Sequence, residues 1–286
     1  MDSRDLLVLT PAGAADPSFA IAAGRAGARG VLDLEFGSPS PAAQALQRLR
    51  RFAGAAFGVQ LRADAPDLFE LLTQHQPALV ILTGADAPEL AARVDTLKAA
   101  RVEVLCEAVS VAEAARAAEL GCAGVVLKGH EAGGRVGADT SFVLIQKWRQ
   151  YADRHGVNVP FWVRGGVGAN TAAACAAAGA RGVVLDTQVL LTRESPLGEA
   201  ARKRVAGMDG GETLVLGARL GEGYRVYARP DCAAAQELVR EDERLQHADL
   251  TPEAKRAAWR AAVAARVAAD PSEGVWLVGQ DVVSAA

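Results

Sequence analysis

The sequence predicts a (β/α)8 barrel, and three observations predict it. Short apolar runs alternate with helical stretches as far as Asp186. A glycine-bounded joint recurs as Gly27-Ala28-Arg29-Gly30-Val31-Leu32, Gly121-Cys122-Ala123-Gly124-Val125-Val126-Leu127 and Gly179-Ala180-Arg181-Gly182-Val183-Val184-Leu185. Polar residues stand at the C-terminal ends of the apolar runs, where barrels of this class carry their sites.

The strands read Leu6–Thr10, Gly30–Leu34, Ala56–Leu61, Leu79–Thr83, Val102–Cys106, Gly124–Lys128, Pro160–Arg164 and Gly182–Asp186. Most are near-continuous apolar runs, as strands covered by helices require. Helical patterns lie between them, for example Pro66–Gln74, Ala87–Ala100 and Ser110–Leu120. The repeated joint reads as a helix C-cap glycine, a tight turn and a buried parallel strand. An open doubly wound sheet is the competing arrangement, but it lacks an evident switch point. After Asp186 the pattern changes. Glu212–Leu216 and Tyr224–Ala228 suit a hairpin joined through Leu220-Gly221-Glu222-Gly223. Charged helices follow at Ala233–Leu245 and Thr251–Ala268, the second opened by Thr251-Pro252-Glu253, an N-cap with proline in first place. Residues 1–189 are expected to form the barrel core, and residues 190–286 a flank or lid packed on it within a single domain. The end at Trp276-Leu277-Val278-Gly279-Gln280-Asp281 and the few residues after it bring no closing helix, as in a segment excised from a longer chain.

Of the 286 residues, 50% are hydrophobic, so a sizeable core is available. A formal charge of −3 gives no electrostatic case for nucleic acid or an anionic membrane. No apolar run reaches the ~18 residues of a spanning helix. The start, Met1-Asp2-Ser3-Arg4-Asp5, lacks the apolar segment of a signal peptide, so a cytoplasmic setting is expected. Cys106, Cys122, Cys175 and Cys232 are scattered without a paired motif; Cys106 and Cys122 read as small buried hydrophobes, and no metal site is expected.

The rim residues are Thr10-Pro11, Glu35, Gln60, Thr83, Glu107, Lys128, Arg164-Gly165-Gly166 and Asp186-Thr187. Such a ring is costly in a core unless solvated or paired, and suits a pocket lining. After the sixth strand comes Lys128-Gly129-His130-Glu131-Ala132-Gly133-Gly134-Arg135-Val136-Gly137, whose glycines suit a backbone that closely approaches a ligand. Arg164-Gly165-Gly166-Val167-Gly168 follows the seventh strand and Asp186-Thr187-Gln188 the eighth, the two places where such barrels commonly hold a phosphate. Asn170 or Thr171 would cap the helix that follows. Asp186 stands against a phosphate unless it turns outward.

The order of these features resembles the flavin-dependent barrel family of nitronate monooxygenases (2-nitropropane dioxygenase type) and FMN-containing enoyl-acyl carrier protein reductases. The matching stretches are Thr10-Pro11-Ala12-Gly13 with Ala26-Gly27-Ala28-Arg29-Gly30-Val31, Phe57-Gly58-Val59-Gln60, Glu131-Ala132-Gly133-Gly134, Gly165-Gly166-Val167, Gly179 to Thr187, and Gly279-Gln280. The central loop, the later glycine turn and the Thr192-Arg193-Glu194-Ser195-Pro196 run resemble more closely the variant found within type I polyketide synthases and related lipid synthases. The resemblance implies FMN, with NAD(P)H as reductant. It implies cofactor contacts at Thr10, Pro11, Gln60, Glu107, Lys128, Gly133, Gly134, Gly165, Gly166, Asp186 and Thr187, and catalytic roles at Arg135, His130 and Lys128. Implied partners are an acyl carrier protein or neighbouring synthase domains and a small acyl substrate; a homodimer stays open. The sequence departs from the family twice. Arg135 stands where histidine is usual, and a guanidinium stays protonated and cannot act as a base. Asp186 stands where glycine is usual at the phosphate. His130 offers an imidazole, which titrates near neutral pH, or is a solvent-facing loop residue. Lys128 would sit near the flavin and also pair with Glu107.

Three readings follow. The first is FMN-dependent enoyl reduction of a carrier-bound acyl thioester, with Arg135 or Lys128 polarising the carbonyl and His130 or water supplying a proton. The second is a nitronate monooxygenase-type flavin oxidase, which needs a base that Arg135 cannot be. The third is a flavin-free barrel serving as a docking or scaffold module.

Overall fold

A computed structural model describes residues 5–54, 56–227, 231–267 and 274–285. The strands are β1 (Leu6–Leu9), β2 (Arg29–Asp33), β3 (Gly58–Arg62), β4 (Leu79–Thr83), β5 (Glu103–Ala108), β6 (Gly124–Lys128), β7 (Gly134–Val136), β8 (Phe161–Arg164), β9 (Gly182–Leu185), β10 (Thr213–Leu216) and β11 (Gly223–Tyr227). The helices are α1 (Ser18–Arg25), α2 (Pro39–Ala53), α3 (Pro66–His75), α4 (Leu90–Ala99), α5 (Val111–Glu119), α6 (Ser141–His155), α7 (Ala169–Ala177), α8 (Glu199–Val205), α9 (Ala233–His247) and α10 (Pro252–Ala264). β1, β2, β3, β4, β5, β6, β8 and β9 close a parallel barrel, with Leu6 against Val183 at the seam. This is the (β/α)8 arrangement that the sequence predicts.

The recurring joint has the expected cause. Gly27, Gly121 and Gly179 have φ of 90°, 70° and 90°, the left-handed cap that lets a helix turn back into a strand. The second glycine of two joints answers a packing need. A Cβ at Gly124 or Gly182 would stand 2.5 Å from the Trp162 ring, which fills the barrel floor and donates to the Asp5 carbonyl at 3.0 Å.

Inside the barrel, Leu7, Leu9, Val31, Leu79, Ile81, Leu105, Val126, Trp162 and Val184 form an apolar plug. Strand side chains alternate faces, so the residue two beyond a plug residue also faces inward. On six strands that residue is polar: Asp33, Thr83, Glu107, Lys128, Arg164 and Asp186. The period of the strand thus lays a charged layer on an apolar floor.

β10 and β11 form the expected antiparallel hairpin, with Leu216 opposite Tyr224. Ala228 and Ala268, the expected ends of this hairpin and of the last helix, lie outside the described residues, as do Met1 to Arg4. One strand is new. β7, inside the glycine loop, pairs with β11 and places Arg135 opposite Tyr224. Three residues carry no readable period, and their partner lies far along the chain. Residues after β9 build a second core from Leu216, Tyr224, Val226, Leu238, Leu245, Trp259, Val263 and Val275. Thr251 caps α10 as read, accepting from the Ala254 amide at 3.2 Å. Of Asn170 and Thr171, it is Thr171 that closes the start of α7, accepting from the Gly168 amide at 2.6 Å and donating to the Gly166 carbonyl at 2.8 Å. No helix of the described residues is long and apolar enough to cross a membrane.

Candidate active site

The site lies at the C-terminal ends of the barrel strands. Its cavity is lined by Thr10, Pro11, Asp33, Glu35, Lys128, Gly133, Gly134, Arg164, Asp186 and Thr187, and roofed by Leu190, Leu197, Trp276, Leu277 and Val278. The charged layer beneath it is tied together by ion pairs and hydrogen bonds. Lys128 Nζ meets Glu107 at 3.2 Å and Arg164 Nη1 meets the other Glu107 oxygen at 2.6 Å. Arg164 also holds Asp186 at 2.8 Å and Gln60 at 3.4 Å. Gln60 Nε2 donates to Asp33 at 3.1 Å, the Glu35 amide donates to Asp33 at 2.8 Å, and Thr83 donates to Glu35 at 3.2 Å.

Burial sets the protonation of this layer. Burial pushes Asp33 up to about 7, helped by repulsion from Glu35. Glu35 is raised by burial and by Glu107. Burial acts the same way on Glu107, but Lys128 and Arg164 outweigh it and hold this carboxyl below its ordinary value. Asp186 is lowered for the same reason, with Arg164 overcoming burial. Lys128 is lowered by burial, then by Arg164, with Glu107 opposing. Two cations and two firmly ionised carboxylates therefore share the cavity floor with two carboxyls biased toward the neutral form.

Of the residues expected at the site, the structure brings Thr10, Pro11, Lys128, Gly133, Gly134, Asp186 and Thr187 to the cavity wall, with Gln60 and Glu107 directly behind as partners of Arg164. Gly165 and Gly166 stand behind the wall, against Ala132 and Glu131. Arg135 and His130 are not on the wall. β7 alternates: Gly134 faces the cavity, so Arg135 faces away and lies in a two-pronged ion pair with Glu113 at the start of α5. His130 is hydrogen-bonded through Nδ1 to the Gly137 carbonyl at 2.7 Å. Asp33 was missed, although its spacing from Val31 marks it as inward-facing.

The anion end of the site is already taken. The Gly166 amide donates to Asp281 Oδ2 at 3.2 Å, and the Thr187 amide donates to Asp186 Oδ1 at 2.6 Å. These amides belong to the two loops that the sequence marks as a phosphate seat, and each donates to a carboxylate of the chain. The open volume of the cavity is about 40 Å³, against the ~300 Å³ or more of an ordinary ligand pocket. In this arrangement the residues do not fit FMN.

Fold and site together define a (β/α)8 barrel enzyme with its chemistry at the strand C-termini. The chain belongs to the nitronate monooxygenase family, whose model matches residues 69–285, and this places it among flavin-dependent oxidoreductases. It is similar to the (3aS,4S,5R,7aS)-5-hydroxy-7a-methyl-1-oxo-octahydro-1H-indene-4-carboxyl-CoA dehydrogenase of Rhodococcus jostii (strain RHA1), 29% identical over 193 residues, which are 66% of this chain and 52% of the relative. The chain thus spans about half the length of that curated relative. The fold is similar to that of FabK from Thermotoga maritima, with TM-score 0.80, 24% identity, and 99% and 88% of the two chains covered. It is also similar to the enoyl reductase domain of MlnA from the macrolactin biosynthesis cluster of Bacillus amyloliquefaciens, with TM-score 0.68, 14% identity, and 87% and 69% covered.

Proposed function

We propose that this chain is an oxidoreductase domain of a polyketide or lipid synthase that reduces the enoyl group of a carrier-bound acyl thioester. The observation that carries the reading is Lys128. Its ammonium is buried at the cavity floor, and among the described residues Glu107 is its one hydrogen-bond partner. Its remaining N–H groups are available to a thioester carbonyl oxygen, where they would stabilise charge developing during reduction. A lowered lysine is also a stronger acid, and Asp33, pushed up to about 7, offers a second proton on the same wall. Leu197, Trp276 and Leu277 give the space above an apolar lining. The carboxyl-CoA thioester in the Rhodococcus relative's name and the MlnA enoyl reductase domain support a thioester substrate in a synthase.

FMN with NAD(P)H as its reductant is the cofactor set this reading carries, and an acyl carrier protein is the partner. The filled anion end favours a second reading, a flavin-free barrel kept as a docking module. Purified protein separates them. Yellow protein that consumes NAD(P)H when given an enoyl thioester supports reduction. Colourless protein that takes up no added FMN in any state overturns it and favours the docking module. Nitronate-dependent oxygen uptake without thioester reduction would instead mark an oxidase.

A further inference from the structure

The stretch from Trp276 onward crosses the barrel mouth as a strap. The Leu277 carbonyl presses on Gly133, 2.3 Å from where a Cβ there would stand. The Gln280 amide donates to the Glu131 carbonyl at 2.8 Å, and the Gly279 amide donates to Thr187 Oγ1 at 3.4 Å. The strap is therefore tied to the loops after β6 and β9. It then enters a short 3-10 turn, Gln280–Ser284, which sets Asp281 against the loop after β8.

There Asp281 Oδ2 accepts from the Gly166 amide at 3.2 Å and from Gln188 Nε2 at 2.8 Å. Asp281 is 4% exposed, and its Oδ1 is buried with no hydrogen-bond partner among the described residues. Asp186 lies close enough to repel it, while Arg164 and Arg225 attract it. A buried carboxylate with one orphan oxygen beside a second carboxylate is a costly arrangement for the strap to keep. Its surroundings explain what it imitates. A glycine-turn amide, a nearby arginine and the start of α7 just beyond are what a bound phosphate uses.

We infer that Asp281 is a specificity-determining residue of this rim: the strap's carboxylate stands in the seat of a ligand phosphate, so a phosphate-bearing mononucleotide-type ligand binds only when the strap lifts. A ligand of the same ring system ending in a hydroxyl makes no claim on that seat. The choice of FMN as the phosphate-bearing probe rests on the oxidoreductase reading; the assignment of the seat does not. Because the binding-competent state is the strap-open one, apparent affinity is reduced by the fraction open.

The test compares the full chain with Asp281→Ala and Asp281→Asn. Hydrogen exchange at the Gly166 amide reads the seat, and flavin fluorescence titration with FMN and with riboflavin reads its consequence. Expected are faster exchange at Gly166 in Asp281→Ala and FMN binding tightened at least tenfold, with no such gain for riboflavin. Asp281→Asn, which keeps the shape and removes the charge, should fall between, and it carries the test if the alanine variant does not fold. Unchanged exchange, FMN affinity equal to that of the parent chain, absence of FMN uptake in every variant, or an equal gain for riboflavin would each overturn the inference. A variant that takes up FMN yet reduces no enoyl thioester would leave the seat assigned and sink the reductase reading.

Discussion

Replacing Glu107 by Gln tests the charged layer as a whole. Glu107 is fully buried and receives Lys128 at 3.2 Å and Arg164 at 2.6 Å. Arg164 retains Asp186 at 2.8 Å, so the loss falls mainly on Lys128, a buried ammonium left without its ion-pair partner. Breaking a buried pair from one side costs roughly 3–5 kcal/mol. A ceiling comes from the lysine itself, because it can shed its proton. From an ordinary value of ~10.4 that costs about 4.6 kcal/mol at neutral pH. Lys128 is already lowered, so the ceiling is smaller, and the lower end of the general range, about 3 kcal/mol, is expected. At roughly 2 °C per kcal/mol for a chain of this size, the melting midpoint drops by about 6 °C. Circular dichroism melts and urea titrations measure this. The loss should shrink at alkaline pH, where the lysine deprotonates more readily, and Glu107→Gln with Lys128→Met should lose less than the sum of the single changes. A loss under about 1 kcal/mol, or strict additivity in the double variant, would refute the claim that Lys128 depends on Glu107.

Three further outcomes are expected. Asp33 and Asp281, both raised to about 7, contribute stability that is fully present below the ordinary carboxyl value and is lost as pH rises through about 7. Asp33→Asn should therefore flatten the fall in melting midpoint on the acid side of neutrality, with Glu35, Glu107 and Arg164 still facing the site; a profile matching the parent chain would show that Asp33 does not titrate there. Gly133→Ala should loosen the strap, because its Cβ would stand 2.3 Å from the Leu277 carbonyl, and limited proteolysis should cut near Leu277 faster than in the parent chain; equal cutting rates would count against the strap contact. Arg135→Lys, which loses the fork to Glu113, should lower stability by about 1 kcal/mol and leave the KM for an enoyl thioester unchanged, whereas a raised KM would return Arg135 to the substrate site.

The barrel was legible because its signals are local. A glycine cap followed by a buried run repeats within a few residues, and the period of two carries Lys128, Arg164 and Asp186 inward from Val126, Trp162 and Val184. The same count from Val31 places Asp33 on the inner face as well. Arg135 is different. Its direction depends on β7, a three-residue strand created by pairing with β11, and no window around the glycine loop contains that partner.

Asp281 lies further still from local reading, since the amide it meets is 115 residues away in sequence. The glycines nevertheless signalled something real. Gly133 and Gly166 read as places where backbone must be approached closely, and both are: by the Leu277 carbonyl at one, and at the other by the Asp281 carboxylate on its amide and the Glu131 side chain where a Cβ would stand. A missing Cβ reports that something comes near, without saying whether it is a ligand or the chain's own backbone and side chains. Reading such loops as a phosphate cradle therefore requires a second fact, namely that their amides are free to donate. Here the nearby carboxylates answer that question: the Gly166 amide donates to Asp281 and the Thr187 amide to Asp186, so neither is free.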